Sequence, residues 1–107
     1  MIVSMINFKP GDIVLLDVPF TGGAQTKRRP ALVALDTGDA DIVVVRITSQ
    51  ARQDEFDVDL IDWRGAGLIA PSIVRVHKIA TLEKNLVART LGHITRPDRD
   101  VVAIRLV

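Results

Sequence analysis

At 107 residues, 48% of them hydrophobic and 25% charged, the chain has the composition of a single folded domain spanning 1–107; it is too short for a second core and too apolar for disorder. A formal net charge of +1, balanced over both halves, excludes a broad non-specific DNA-binding field, so any nucleic-acid contact must come from a local patch. The lack of cysteine excludes disulfides, thiolate metal sites and thiol nucleophiles, and is compatible with a reducing cytosol.

In chain order, Met1-Ile2-Val3-Ser4-Met5 lacks the basic and long apolar segments of a signal peptide. No apolar run approaches the ~20 residues of a membrane span. A soluble cytoplasmic protein with no membrane partner is expected, with Met5 as an alternative initiator. Asp12 to Val18 is rich in Val, Ile and Leu and reads as a buried strand that runs past Pro19 towards Gly22-Gly23. The stretch from Pro19 to Arg29, with Lys27-Arg28-Arg29 at its end, reads as a loop. Pro30 to Leu35, the turn cluster Asp36 to Asp41 and the β-branched run from Ile42 predict strand, turn and strand.

Phe56, Val58 and Leu60 alternate with Asp57 and Asp59, which predicts a half-buried strand with an acidic outer face. Ile73 to Ile79 predicts another strand, and Leu86 to Ile94 a further short one or an irregular turn. Thr95, Pro97 and Asp98 have the order of a helix start, with a Thr cap, an early Pro and an acid at the positive end of the dipole. Val101, Val102, Ile104 and Leu106 then supply an apolar stripe. The sum is a mainly β fold of five or six short strands, a partly open barrel, closed by one C-terminal helix.

His77 and His93 have no clustered acids around them, so no metal site is expected, and no Gly-rich phosphate loop indicates a nucleotide cofactor. Side-chain alternation places Val44, Arg46 and Thr48 on one face of their strand. It places Ile73, Arg75, His77 and Ile79 on one face of the later strand, opposite Val74, Val76 and Lys78. Taken singly, each has an ordinary structural explanation: a solvated strand cation for Arg46 or Arg75, a β-former for Thr48, a surface imidazole for His77. Lys27-Arg28-Arg29 would ordinarily be a solvated loop, and the acids from Asp54 to Asp62 a solvent-facing run.

Four segments in register nevertheless resemble the MazF/PemK (Kid) toxin family of type II toxin–antitoxin modules. They are Gly11-Asp12-Ile13-Val14 leading to Asp17-Val18-Pro19-Phe20, then Lys27-Arg28-Arg29-Pro30-Ala31-Leu32-Val33, Ile47-Thr48-Ser49-Gln50, and Pro71-Ser72-Ile73-Val74-Arg75 with Lys78-Ile79-Ala80-Thr81-Leu82. The resemblance implies an SH3-like barrel of the MazF/PemK/CcdB type, usually homodimeric, that cuts single-stranded RNA and is held in check by a cognate antitoxin. It places the family's catalytic Arg on Arg29 and its catalytic Thr on Thr48.

The chain departs from the family pattern twice. Arg46 stands where many relatives have Pro, and His77 where PemK-like members often have an Asp; Arg75 matches.

Metal-independent RNA cleavage needs the ribose 2′-OH deprotonated, the phosphorane-like charge stabilised and the leaving 5′-oxygen protonated. Arg29 suits charge stabilisation, Thr48 can orient Arg29 or donate to a phosphate oxygen, and His77 is assigned proton transfer, with Arg75 beside it. Lys27, Arg28, Arg46, Ser49 and Gln50 are the expected RNA contacts. Only Phe8, Phe20, Phe56 and Trp63 could stack on bases, so hydrogen bonding should dominate sequence selection. The rival readings are a CcdB-like gyrase poison and a non-catalytic SH3-like interaction module.

Overall fold

The computed structural model describes residues 7–19, 26–50 and 54–106. Phe20, Gly22 and Gly23 lie outside them. The elements are β1 (Asp12–Pro19), β2 (Thr26–Asp36), β3 (Asp41–Thr48), β4 (Asp57–Asp59), β5 (Ile73–Glu83), a 3-10 turn (Lys84–Leu86), β6 (Val87–His93) and α1 (Arg96–Leu106). The strands form a six-stranded antiparallel sheet in the order β4-β5-β3-β2-β1-β6. The mainly β fold with a C-terminal helix is the one expected. Its sheet stays open, with β4 and β6 as edges.

Alternation gives each face of the sheet its own apolar cluster. Ile13, Leu32, Val45, Ile47, Val74 and Val76 project to one side, where Leu60, Ala66, Leu68, Ile94 and Val102 complete the main core. Val14, Leu16, Ala31, Val33, Ile42 and Val44 project to the other. The turns after β4 cross towards β6 and cover the open side of the main core. Gly67 has φ +92°, and a Cβ on Gly67 or Gly92 would run into the backbone of Leu91 or Ala66 respectively, so this crossing requires glycine at both positions.

Several expected boundaries move. Lys27, Arg28 and Arg29 belong to β2 and not to a loop, because β1 is long enough to pair with them: Leu16 lies opposite Arg29 and Val18 opposite Lys27. The strand expected around Phe56 to Leu60 is reduced to β4, with Phe56 45% exposed.

Helix α1 starts where Thr95 predicts, and its carbonyl accepts the Arg99 N–H at 2.9 Å, but the Thr95 hydroxyl is buried without a partner. Asp98 does not merely offset the dipole. It is 1% exposed and accepts the N–H groups of Ile61 (3.0 Å) and Asp62 (2.8 Å), tying α1 to the crossing turns. The helix docks through Asp98 and Val102, one turn apart, while Val101, Ile104 and Leu106 of the expected stripe are exposed. Among the described residues, no helix is long and apolar enough to cross a membrane.

Candidate active site

Partners across an antiparallel ladder share a face. Ala31 lies opposite Arg46 and Val33 opposite Val44, so Arg29 shares its face with Arg46 and Thr48. Continuing the Ala31–Arg46 register by two residues on each strand brings Arg29 level with Thr48. The far ends of β2 and β3 thus carry these polar groups, while the near ends carry the second apolar cluster.

A cleft of about 310 Å³ opens on this face, lined by apolar Leu16, Ala31, Val44 and Ala80 and by the cations Lys27, Arg29, Arg46 and Lys78. Among the described residues no carboxylate lines it. Among the described residues Arg29, Arg46 and Lys78 form no ion pair. Cations gathered over an apolar surface without acids create a positive local potential that favours an anion. The chain's near-neutral net charge conceals this patch.

Thr48 closes β3 at 6% exposure, and its hydroxyl oxygen accepts the Gln50 N–H at 3.1 Å. That bond ties down the turn after the strand and leaves the hydroxyl proton available for donation. Ser49 and Gln50 follow it, exposed. Arg28 is on the other side of β2 from Arg29 and pairs with its ladder neighbour Asp17 at 3.0 Å, so it does not join the cleft.

Lys78 is the residue that strand alternation assigned to the wrong face. Arg46 of β3 pairs with Arg75, but the adjacent Val45 pairs with Ile79, so Val76, His77 and Lys78 form a three-residue bulge in β5. An odd number of inserted residues inverts the alternation. Ile73 and Arg75 face the cleft side before the bulge; Lys78, Ala80 and Leu82 line the cleft after it. Ile79, expected beside Arg75, turns to the opposite face.

Arg75 and His77 occupy a separate corner between β4 and β5. The Arg75 side chain, 10% exposed, donates from Nε to Asp57 Oδ1 at 3.1 Å and approaches Asp54 Oδ2 at 3.9 Å. Asp57, expected to be solvent-facing, has a side chain only 5% exposed, because the Arg75 opposite it in the ladder supplies its counter-charge. His77 is exposed, its ring 5.5 Å from that of Phe56 and its Nε2 3.4 Å from an Arg75 Nη. A guanidinium only donates, so this contact uses the unprotonated Nε2 lone pair.

No aromatic side chain lines the cleft among the described residues. Phe8 packs on the second cluster, Trp63 on the main core with Arg64 over its ring, and Phe56 against His77.

An open antiparallel sheet with a C-terminal helix and a cleft lined by cations defines a small β protein equipped to hold an anion. The chain belongs to the family of PemK-like, MazF-like toxins of type II toxin–antitoxin systems, whose model matches residues 9–107. Among solved structures it is similar to an endoribonuclease from a mycobacterial species, with 20% identity, TM-score 0.75, and coverage of 97% of this chain and 91% of that one. It is also similar to a MazE–MazF structure from Deinococcus radiodurans, with 24% identity, TM-score 0.71 and coverage of 94% and 92%. A mycobacterial endoribonuclease in complex with its cognate antitoxin matches at 21% identity and TM-score 0.72, covering 90% and 87%. At these identities the likeness is one of fold. Among curated protein sequences, none matches significantly.

Proposed function

We propose that this toxin is an endoribonuclease that cuts single-stranded RNA, mRNA in the cytoplasm, at selected sequences without a metal ion. The observation that carries the reading is a cleft lined by Arg29 and Arg46, with no acid among the described residues that line it, on the sheet face that also carries Thr48. It is supported by the family and by relatives of the same fold described as endoribonucleases.

In the reaction, the ribose 2′-oxygen forms a bond to phosphorus and loses its proton, while the P–O5′ bond breaks and the 5′-oxygen gains one. The products are a 2′,3′-cyclic phosphate and a 5′-hydroxyl, with no water consumed. Arg29 donates to the non-bridging oxygens as charge builds, and the Thr48 hydroxyl donates alongside it. Proton transfer is assigned to His77, which stands in the β4–β5 corner and not among the described residues that line the cleft, so the assignment requires the RNA to span both and the long Nε2 contact with Arg75 to release.

In this reading the toxin works as a homodimer and is held inactive by a cognate antitoxin, consistent with the antitoxin-bound relatives. The absence of aromatic side chains among the described residues that line the cleft fits base selection by hydrogen bonds.

The test is incubation of the purified protein with defined RNAs in EDTA, followed by end analysis. Cyclic-phosphate termini from wild type, reduced in both Arg29→Ala and Thr48→Ala, are expected. Intact RNA across many sequences, or undiminished cutting by both variants, would overturn the reading.

A further inference from the structure

We propose that Lys78 binds an RNA phosphate next to the one being cleaved, and so sets substrate affinity without taking part in the chemistry; the inference rests on the endoribonuclease reading above.

Its placement depends on the β5 bulge. Without the three extra residues, Lys78 would face away from Arg29 and Arg46; with them it lines the same cleft. Extending the Val45–Ile79 register by one residue sets Lys78 level with Arg46, although the ladder pairs Arg46 with Arg75. That level is two residues, about 7 Å, along the strands from the level of Arg29 and Thr48, and with β3 lying between β5 and β2 a further distance of about 10 Å across them, so the backbone positions of Lys78 and Arg29 are about 12 Å apart. Two long side chains anchored that far apart reach successive phosphates of an extended strand more readily than they converge on one, so Arg29 and Lys78 suit neighbouring phosphates.

The residue types divide the work in the same way. A planar guanidinium makes paired, directed bonds that suit a phosphorane of fixed geometry. An ammonium on a flexible stem is a point charge that accepts a phosphate in many orientations. Lys78 is exposed, and among the described residues it has no carboxylate partner whose displacement would oppose binding.

Wild type, Lys78→Gln and Lys78→Arg should be compared in two assays. One is a salt titration of binding to a 2′-O-methylated RNA oligonucleotide, which cannot be cut; the other is steady-state cleavage of the matching RNA. Lys78→Gln is expected to lower the slope of log affinity against log salt by about 0.7, the share of one phosphate on a single strand. KM should rise while kcat is kept, and Lys78→Arg should restore both slope and KM. If wild type cuts RNA and Lys78→Gln has an unchanged slope and KM, the role of Lys78 is refuted and the nuclease reading stands. A fall in kcat with KM unchanged refutes it as well, by placing Lys78 in the chemistry. Failure of wild type to bind or cut any RNA removes both proposals.

Discussion

Arg46 and Arg75 stand opposite each other across the β3–β5 ladder, yet their surroundings differ completely. Arg75 turns into the β4–β5 corner, where Asp57 and Asp54 neutralise it and burial removes it from solvent. Arg46 turns to the cleft with Arg29 and Lys78, where no acid among the described residues answers it. Two like charges directly opposite in a sheet repel, and the fold relieves this by giving only one of them a counter-ion. Arg75 is thus a cation held for stability and Arg46 one left open for a ligand, although the sequence presents both as strand arginines.

The largest expected effect tests the corner. Arg75→Met strands the buried Asp57 carboxylate and should cost about 3–5 kcal/mol in denaturant unfolding. Arg46→Met should stay within about 0.5 kcal/mol. Equal losses would erase the distinction between the two arginines.

Next comes the cleft, where Arg29→Ala should slow RNA cleavage by about 10²–10³-fold. Its unfolding midpoint should barely move; a large loss of stability would make Arg29 a structural residue like Arg75.

A third test extends the contrast to a buried acid. Asp98→Ala leaves two backbone N–H groups, those of Ile61 and Asp62, without their acceptor. The expected cost is about 1–3 kcal/mol, with faster amide exchange at both positions.

The smallest effect is at Asp36, close to the turn that joins β2 and β3. Burial pushes its pKa up, but the Phe8 N–H, Lys84 and the Gly38 N–H outweigh that and hold the carboxyl below its ordinary value. Because the folded pKa is depressed, its stabilising contribution is complete above the unfolded value of about 4 and is lost as pH falls through the lower folded value. Asp36→Asn should therefore flatten the acid limb of the unfolding midpoint plotted against pH, and an unchanged limb would show that Asp36 is not linked to folding.

Period-2 patterning made most of the fold legible, because alternating Val and Ile report directly which side of a strand meets a core. The alternation of Val44, Arg46 and Thr48 against Val45 and Ile47 was readable for that reason, and the two apolar clusters divide along it, Val44 in one and Val45 and Ile47 in the other. The R-P-A and T-S-Q segments pointed to Arg29 and Thr48, but only the β2–β3 register sets the two residues level. The burial of Asp57 was not readable, since a carboxylate in an alternating strand looks solvent-facing until its cross-strand neighbour is known. The exposed side chains of α1 were missed because an apolar stripe does not say which part of it finds a surface to cover.

From sequence alone came the strand-rich class, the terminal helix and the family resemblance, all of which depend on local periodicity or residue identity. Tertiary structure alone decided which cations share the cleft. Lys78 joins Arg29 and Arg46 through a bulge, and a bulge is a mismatch between two strands far apart in the chain. Neither strand carries a local record of that mismatch, and it inverts every side chain beyond it.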